Sequence, residues 1–230
     1  MISLQDVKDA QARIAPYVVR TPLLRIPALD APLGCQVYLK FEGFQVMGAF
    51  KIRGAMNKAL ALTPQQRSHG LVCASSGNHA QGVACAAQRL GVRSVIVMPT
   101  NANPVKLAGV KSFGGEVELV GTLSSQREAR AEELSREEGM VNIHPYADPY
   151  VAAGQGTIGL EIVADLPDAA AVAVPIGGGG LISGVATAVK GLAPNIRTIG
   201  VEPAGAPRYG KSRAAGEPVA LEKVETIADG

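Results

Sequence analysis

The sequence lacks the features that mark membrane proteins and disulfide-bonded proteins. No apolar run approaches the roughly 20 residues that a membrane-spanning helix needs, and Met1 to Tyr17 alternates polar and apolar residues, unlike a signal peptide. The cysteines, Cys35, Cys73 and Cys85, are odd in number and lack C-x-x-C spacing. This argues against a disulfide framework and a structural zinc site. We therefore expect a cytoplasmic protein in a reducing compartment, without membrane contact.

An excess of charge of either sign is also missing. The 22 basic and 20 acidic residues give a formal net charge of +2, without long runs of one sign. This balance gives no electrostatic reason to expect nucleic acid or an anionic membrane as a partner. The 230 residues are 47% hydrophobic, enough for one large core or two small ones. We expect a globular protein whose partner is a small molecule.

The chain does contain a repeated alternation of short apolar strands and helices. A first helix is predicted from Leu4, capped by Ser3 and Asp6 and ended by Pro16. Strands are predicted at 37–41, 71–74, 94–98, 116–120, 171–175 and 198–201, and further helices at 53–62, 80–90, 104–111, 125–138, 148–165 and 181–190. Such alternation is typical of parallel strands joined by right-handed crossovers. The sequence therefore predicts an α/β fold.

One lysine has an unusual setting in residues 48–55, which read G-A-F-K-I-R-G-A. Lys51 lies between Phe50 and Ile52, and partial burial there would lower its pKa from about 10.4. A neutral amine condenses with aldehydes, so Lys51 is a candidate Schiff-base lysine for pyridoxal phosphate. On these eight residues alone, a snorkelling lysine at a helix start is the simpler interpretation.

A second stretch, residues 75–79, follows a predicted strand and opens a helix. Its residues are Ser75, Ser76, Gly77, Asn78 and His79. Free backbone N–H groups converge at such a helix start, where the helix dipole is positive. A simple N-cap needs only one Ser or Asn, so the stretch favours a binding site for a carboxylate or phosphate.

A third stretch, residues 177–181, is four glycines followed by a leucine, again between a predicted strand and a helix. Four residues without Cβ leave the backbone N–H groups open to surround a phosphate. The spacing matches neither a dinucleotide-binding fingerprint nor a P-loop. A tight turn needs only one or two glycines, so phosphate binding is the better interpretation.

Together, the three stretches call for a ligand with an aldehyde and a phosphate, and for a substrate with a carboxylate. Pyridoxal phosphate and an amino acid meet that description. The stretches at 48–55, at 75–81 (S-S-G-N-H-A-Q), at 154–157 (G-Q-G-T) and at 177–181 also resemble, in this order and spacing, the threonine/serine dehydratase and serine racemase group of fold-type II pyridoxal-phosphate enzymes. The resemblance runs the whole length of the chain. It implies two open parallel-sheet α/β domains with the cofactor between them.

The resemblance also implies roles for individual residues. Lys51 matches the Schiff-base lysine, Phe50 the residue against the cofactor ring, Asn78 the partner of the 3-hydroxyl, and Ser76 a second acid/base serine on the opposite cofactor face. The implied cofactor-binding residues are Phe50, Lys51, Asn78, Gly177, Gly178, Gly179, Gly180 and Leu181. The implied substrate-binding residues are Ser75, Ser76, Gly77, Asn78 and His79. Of the three histidines, only His79 is expected to matter, whereas His69 and His144 are expected in solvated turns.

Polar and Pro-containing residues at 142–148 interrupt the alternation, which predicts a domain boundary there. The resemblance to the family implies the rest of the domain organisation. Residues 1–52 and 149–230 would belong to the large domain, and residues 53–148 would form the small domain. Family chains continue beyond residue 230, and residues 220–230 read as a turn-like end, so we expect the C-terminal part of the large domain to be missing. That part supplies the partner of the pyridine nitrogen. An incomplete sheet would leave apolar faces exposed and favour association.

Some positions depart from the family pattern. Met47 and Ala49 stand where the family has Thr and Ser, which leaves the substrate preference open. Glu202 matches one ligand of a divalent-cation site, but Arg208 stands where an aspartate ligand is expected. We therefore expect no metal ion.

The function that the resemblance implies is dehydration and deamination of L-threonine or L-serine to a 2-oxo acid and ammonia. The full-length enzyme is expected to be a homo-oligomer acting on a small amino acid. One alternative is racemisation, with Ser76 returning a proton to Cα. β-Replacement is less favoured, because those enzymes have T-S-G-N-T where this chain has S-S-G-N-H. A catalytically silent binding module is the alternative from another class.

Overall fold

The computed structural model describes residues 1–221 and 224–228. The helices are α1 (Leu4–Ile14), α2 (Asp30–Leu33), α3 (Lys51–Ala61), α4 (Pro64–Ser68), α5 (Asn78–Leu90), α6 (Pro104–Ser112), α7 (Ser124–Glu137), α8 (Pro149–Asp165), α9 (Gly180–Leu192) and α10 (Arg208–Ala215). The strands are β1 (Leu23–Arg25), β2 (Tyr38–Lys40), β3 (Leu71–Ala74), β4 (Ser94–Met98), β5 (Glu116–Leu119), β6 (Val141–Asn142), β7 (Ala171–Pro175) and β8 (Arg197–Val201). Short 3-10 helices cover Pro27–Leu29 and Glu42–Phe44.

Two parallel sheets carry the architecture. The larger sheet has four strands in the order β5-β4-β3-β6, and every pairing in it is parallel. Strands β7 and β8 form a separate parallel pair, and β1 and β2 pair antiparallel. Within each parallel sheet, helices connect the successive strands, as parallel pairing requires. The predicted α/β fold is confirmed.

The central strands are apolar because both of their faces are covered. Strand β3 reads L-V-C-A and strand β4 reads S-V-I-V-M, and nearly all of their residues are buried. Near-continuous apolar runs of this kind are typical of parallel strands between helix layers. The largest core cluster lies between this sheet and helices α3 and α5, and a second one lies among β7, α8 and α9.

Helix α8 joins the parts of the structure that carry the candidate site. Asp148 caps it, as predicted, by accepting the N–H groups of Tyr150 and Val151. Glycines let the neighbouring helices approach α8 closely: a Cβ added at Gly184 of α9 would lie 2.2 Å from the carbonyl oxygen of Ala152. Since no real side chain tolerates such a distance, the packing of α9 on α8 requires glycine there.

The sequence located most elements to within two residues, and missed the short ones. Helix α3 begins at Lys51, two residues before the predicted start, and α5 begins at Asn78, also two residues early. The unpredicted elements are β1, α2, α4, β6, α10 and the two 3-10 helices, most of them too short to show a periodic pattern. The domain limits at 52/53 and 148/149 stay predictions.

The turn-like end predicted over 220–230 falls partly outside the described residues, which exclude 222, 223, 229 and 230. Residues 221 and 224–228 are in neither helix nor strand. No helix in the described ranges is both long enough and apolar enough to span a membrane.

Candidate active site

Lys51 is the first residue of α3, and its side chain is half-buried. Its Nζ donates a hydrogen bond to the carbonyl oxygen of Pro145 at 2.9 Å and lies 5.3 Å from the centre of the Phe50 ring. Burial lowers the pKa of Lys51 to about 8. The partial burial predicted from the apolar neighbours is therefore present, and the amine is far more often neutral near pH 7 than that of an ordinary lysine.

The 75–79 loop reaches the lysine because α5 packs directly against the start of α3. A Cβ added at Gly82 of α5 would lie 3.2 Å from the carbonyl carbon of Lys51. The loop itself is half-buried from Ser75 to Gly77, and the Ser75 hydroxyl accepts the N–H of Gly77 at 3.3 Å. Asn78 is exposed and opens α5, so the N–H groups of the helix start lie at this loop.

His79 is buried, and one hydrogen bond fixes its ring. Nε2 lies 2.6 Å from the carbonyl oxygen of Ile143 and donates its proton to it. Nδ1 is buried without a hydrogen-bond partner within the described part of the chain. Burial lowers the pKa of His79 to about 3, so the imidazole is neutral at physiological pH. In this structure His79 ties α5 to the residues after β6, and its predicted contact with a substrate carboxylate stays a prediction.

The glycine stretch forms the turn between β7 and α9, as predicted. Gly179 has a φ of 89°, in the left-handed region that favours glycine, and a Cβ at Gly177 would meet open space. A Cβ at Gly178 would lie 2.2 Å from the ring of Tyr146. Helix α9 begins at Gly180, so its first N–H groups border this open turn.

The segment 143–146 links these three stretches, and sequence reasoning missed it. The carbonyl of Ile143 binds His79, the carbonyl of Pro145 binds Lys51, and Tyr146 packs on the glycine turn. Two of the three contacts are made by backbone carbonyls. Every residue type has this group, so the sequence does not indicate these contacts. Only the polar, proline-containing break in the alternation marks this segment in the sequence, and such a break predicts a domain boundary rather than a part of the site.

The expectation that His144 lies in a solvated turn is correct for its place in a loop and wrong for the full exposure of its ring. Its ring is half-buried and stands edge-on to Tyr146, with ring centres 4.6 Å apart. Nδ1 accepts the N–H groups of Tyr146 and Ala147, at 3.3 and 2.8 Å. Burial lowers the pKa of His144, so the neutral ring keeps this acceptor. His69, by contrast, is exposed at the end of α4, as expected.

The residues present fit pyridoxal phosphate. A half-buried amine of lowered pKa suits the aldehyde, and an open glycine turn at a helix start suits the phosphate. The two lie close together, because Pro145 and Tyr146 contact one each. Phe50 and Leu181, both predicted to bind the cofactor, pack against the same apolar cluster.

Glu202 has a structural role in this chain. Its two carboxylate oxygens accept the N–H groups of Tyr209 and Gly210, at 2.8 and 2.7 Å. These N–H groups belong to the first turn of α10, which begins at Arg208. Across residues 1–221 and 224–228, no three His, Cys, Asp or Glu side chains are grouped as a metal ion would need.

The fold and the site define a class of enzyme. The family model described as pyridoxal-phosphate dependent enzyme matches residues 14–230, and the chain belongs to this family. Its cofactor is pyridoxal phosphate, and its fold is that of the fold-type II members, as the sequence resemblance implied.

Three relatives show which members of the family the chain is similar to. An L-threonine ammonia-lyase from Thermotoga maritima is 45% identical over 230 residues, which are 100% of this chain and 57% of the lyase. A serine racemase from Oryza sativa subsp. indica is 44% identical over 227 residues, 99% of this chain and 67% of the racemase. The structure of maize serine racemase matches with a TM-score of 0.97 at 44% identity, over 99% of this chain and 69% of that one. The chain thus spans little more than half the length of the lyase, and the two activities are equally near.

Proposed function

We propose that the protein catalyses the pyridoxal-phosphate-dependent dehydration and deamination of L-threonine or L-serine to a 2-oxo acid and ammonia. The observation that carries the proposal is the Lys51 amine, half-buried, with a pKa near 8, and located beside two loops at helix starts. Because the chain spans 57% of the length of the Thermotoga lyase, this activity is proposed for the whole protein.

Lys51, Phe50 and Asn78, with the 177–180 turn and Leu181, would hold the cofactor. Bound there, pyridoxal phosphate supplies an electron sink for the negative charge that develops when Cα loses its proton. The open N–H groups at the start of α9 would bind the phosphate, since a helix start attracts anions. Gly177 and Gly178 leave no side chain between those groups and the ligand.

In this proposal, Lys51 takes the proton from the substrate Cα onto Nζ. A pKa near 8 suits that step, because a general base works best when its pKa lies close to the operating pH. The carbonyl of Pro145 holds the amine in place at 2.9 Å. The N–H groups of the 75–79 loop would bind the substrate carboxylate and so fix the direction of the Cα–H bond.

Racemisation is the second candidate. The observation that favours it is that the rice and maize serine racemases are about as similar to this chain as the lyase is. Ser76 lies half-buried in the 75–79 loop, and as a second acid/base it would return a proton to Cα from the opposite face.

Three further proposals concern the whole protein. We propose that residues 53–148 form a small domain between the two parts of a large one, and that the full-length enzyme is a homo-oligomer. We also place it in the cytoplasm, because Cys35, Cys73 and Cys85 are all free thiols, which fits a reducing compartment.

The experiment compares full-length wild type with Lys51→Ala, with pyridoxal phosphate supplied to both. Wild type should release 2-oxobutanoate from L-threonine, and Lys51→Ala should be slower by about 10²–10⁴-fold, the usual range for loss of a general base. Lys8→Ala, which removes an exposed lysine of α1, is the matched control and should keep the wild-type rate. Continued formation of 2-oxobutanoate by Lys51→Ala would contradict the proposal. With L-serine as the substrate, chiral analysis of the remaining serine separates the two candidate activities. Accumulation of D-serine faster than the 2-oxo acid indicates racemisation.

A further inference from the structure

Six charged side chains form a connected cluster behind the first turn of α3, and we call it the Arg53 cluster. Its members are Arg20, Lys40, Glu42, Arg53, Glu161 and Asp165, and the Lys40–Asp165 pair at 4.0 Å connects Arg20 and Asp165 to the rest. Three are cations and three are anions, so the cluster is neutral as a whole. Arg53 at its centre is 0% exposed, two residues after Lys51.

Arg53 uses its guanidinium to bind three different parts of the chain: the Glu42–Phe44 turn, helix α8 and, at 3.2 Å, the backbone carbonyl of Val19. Towards the Glu42–Phe44 turn it donates from Nε and from one terminal nitrogen to the Glu42 carboxylate, both at 2.8 Å. Towards α8 it donates to Glu161 at 2.6 Å and to the Thr157 hydroxyl at 3.1 Å. The hydrogen bonds to both carboxylates raise the pKa of Arg53 despite its burial, so the cation persists. A planar fork with this many partners fixes the direction of the side chain as well as its position.

The backbone of the same turn is also held by α8. The N–H of Gly54 donates to the side-chain oxygen of Gln155 at 3.2 Å. A Cβ added at Gly154 would lie 2.6 Å from the carbonyl oxygen of Arg53, so the two helices touch through their backbones. The first turn of α3 is therefore fixed on the side of α8.

Lys51 leaves the same turn in another direction. Residues two positions apart on a helix do not share a face, so Lys51 projects towards the carbonyl of Pro145 while Arg53 projects into the cluster. The ion pairs among Lys40, Glu42, Arg53 and Glu161 are the buried part of the cluster. Buried ion pairs are a weak source of net stability, because desolvation offsets most of their attraction. A cluster of this kind directly behind the reactive lysine therefore suggests a role in geometry.

We propose that Arg53 is a positioning residue for Lys51: by binding Glu42 on one side and Glu161 and Thr157 on the other, it fixes the first turn of α3 and with it the place of the lysine amine. The inference rests on the proposed function for its consequence in catalysis. Its geometric part concerns the protein alone.

Without Arg53, the first turn of α3 would be free to shift, and Lys51 would lose its buried position beside Pro145. The amine would leave its place beside Pro145 and become more hydrated, so its pKa would rise from about 8 towards the ordinary value of 10.5. Two other titratable groups face Lys51, His79 from α5 and His144 from the 143–146 segment. Burial lowers the pKa of both, so both stay neutral while Lys51 titrates.

The variants are chosen to separate position from charge balance. Arg53→Met alone would leave three anions against two cations, so Arg53→Met is combined with Glu42→Gln, which leaves two of each. Arg53→Lys keeps the charge and loses the fork. Arg93→Met is the matched control, because Arg93 also binds two glutamates, Glu116 and Glu138, but at the surface.

Two readings are taken on the full chain of each variant. The rate of acylation of Lys51, measured on its peptide across a range of pH, gives the pH midpoint at which the amine titrates. Borohydride reduction with added pyridoxal phosphate gives the fraction of Lys51 that carries the cofactor. We expect the Arg53→Met/Glu42→Gln midpoint to rise by about one pH unit or more, and cofactor attachment and kcat to fall by about 10-fold with little change in KM. Arg53→Lys should lie between this variant and wild type, and Arg93→Met should match wild type.

A folded Arg53→Met/Glu42→Gln protein with the wild-type midpoint and attachment would overturn the inference. If that variant does not fold, Arg53→Lys decides: a raised midpoint supports the inference, and an unchanged one overturns it. Failure of the proposed function looks different. In that case the wild-type protein forms no 2-oxobutanoate from L-threonine, while the acylation midpoints still report whether Arg53 positions the amine.

Discussion

At the scale of single residues, burial leaves Lys51 and His79 in different protonation states near physiological pH. Both lose hydration, which lowers the pKa of each. For Lys51 the value falls to about 8, where the neutral and charged forms are both accessible near physiological pH. For His79 it falls to about 3, where only the neutral form remains. One site therefore contains a reactive amine beside an imidazole that serves as a fixed hydrogen-bond donor.

The lowered pKa of Lys51 predicts a stability penalty at neutral pH. Below pH 8 the lysine is charged in both the folded and the unfolded state, so the folded state carries the full cost of a poorly solvated cation. Between pH 8 and 10.5 the unfolded state binds the extra proton, so stability rises with pH and the penalty disappears. We therefore expect Lys51→Met to stabilise the protein at pH 7 by about 1–3 kcal/mol.

Urea unfolding at pH 7 and at pH 10 measures this effect. The gain from Lys51→Met should shrink at the higher pH, and Lys8→Met, at an exposed position, should change little at either pH. A Lys51→Met protein that is less stable than wild type at pH 7 would show that the lysine is not under strain from burial.

His79 should not titrate in the physiological range. We expect the ring C–H signals of His79, assigned by their loss in His79→Ala, to stay constant from pH 5 to pH 8, because the pKa lies near 3. His79→Ala should also cost about 2 kcal/mol of stability, since it leaves the buried carbonyl of Ile143 without its donor. A titration midpoint between pH 5 and 8 would mean that the ring is solvated and charged, contrary to the structure.

At the scale of elements, α8 is the support of the site, and its packing depends on glycine. A Cβ added at Gly184 of α9 would collide with the carbonyl oxygen of Ala152 and the backbone nitrogen of Gly156. We expect Gly184→Ala to destabilise the protein by about 3 kcal/mol, because an added methyl group must push two helix backbones apart. Ser183→Ala on the same helix is exposed and should change stability by less than about 0.5 kcal/mol. Equal unfolding midpoints for the two variants would contradict the close packing.

The sequence could predict these elements where a regular pattern marked them. Strands β3, β4 and β7 were located to the residue by their apolar runs, and the two loops at helix starts were recognised by their Ser, Asn and Gly residues. No comparable pattern in the sequence indicates the hydrogen bonds between elements. The carbonyls of Ile143 and Pro145 bind His79 and Lys51 whatever side chains those positions carry. The two glutamate partners of Arg53 lie 11 and 108 residues away in the sequence, too far for any local pattern to reveal.

At the scale of the whole molecule, the candidate site is assembled from parts of the chain that are far apart. The 75–79 loop and the 143–146 segment follow β3 and β6, two neighbouring parallel strands, so both lie at the same edge of that sheet. Lys51 at the start of α3 and the 177–180 turn after β7 belong to other elements, and they join the site through their contacts with Pro145 and Tyr146. The sequence resemblance predicted this family, and the match over residues 14–230 confirms it. The choice between lyase and racemase needs product analysis, since relatives of both kinds are equally similar.

The most direct measurement is the place of cofactor attachment. The protein is mixed with one equivalent of pyridoxal phosphate, reduced with borohydride, digested and mapped by mass spectrometry. The account predicts a single modified lysine, Lys51, with the remaining lysines of the chain unmodified, and no attachment in Lys51→Ala. Attachment spread over exposed lysines, or equal attachment in Lys51→Ala, would contradict the claim that Lys51 is the residue around which this site is built.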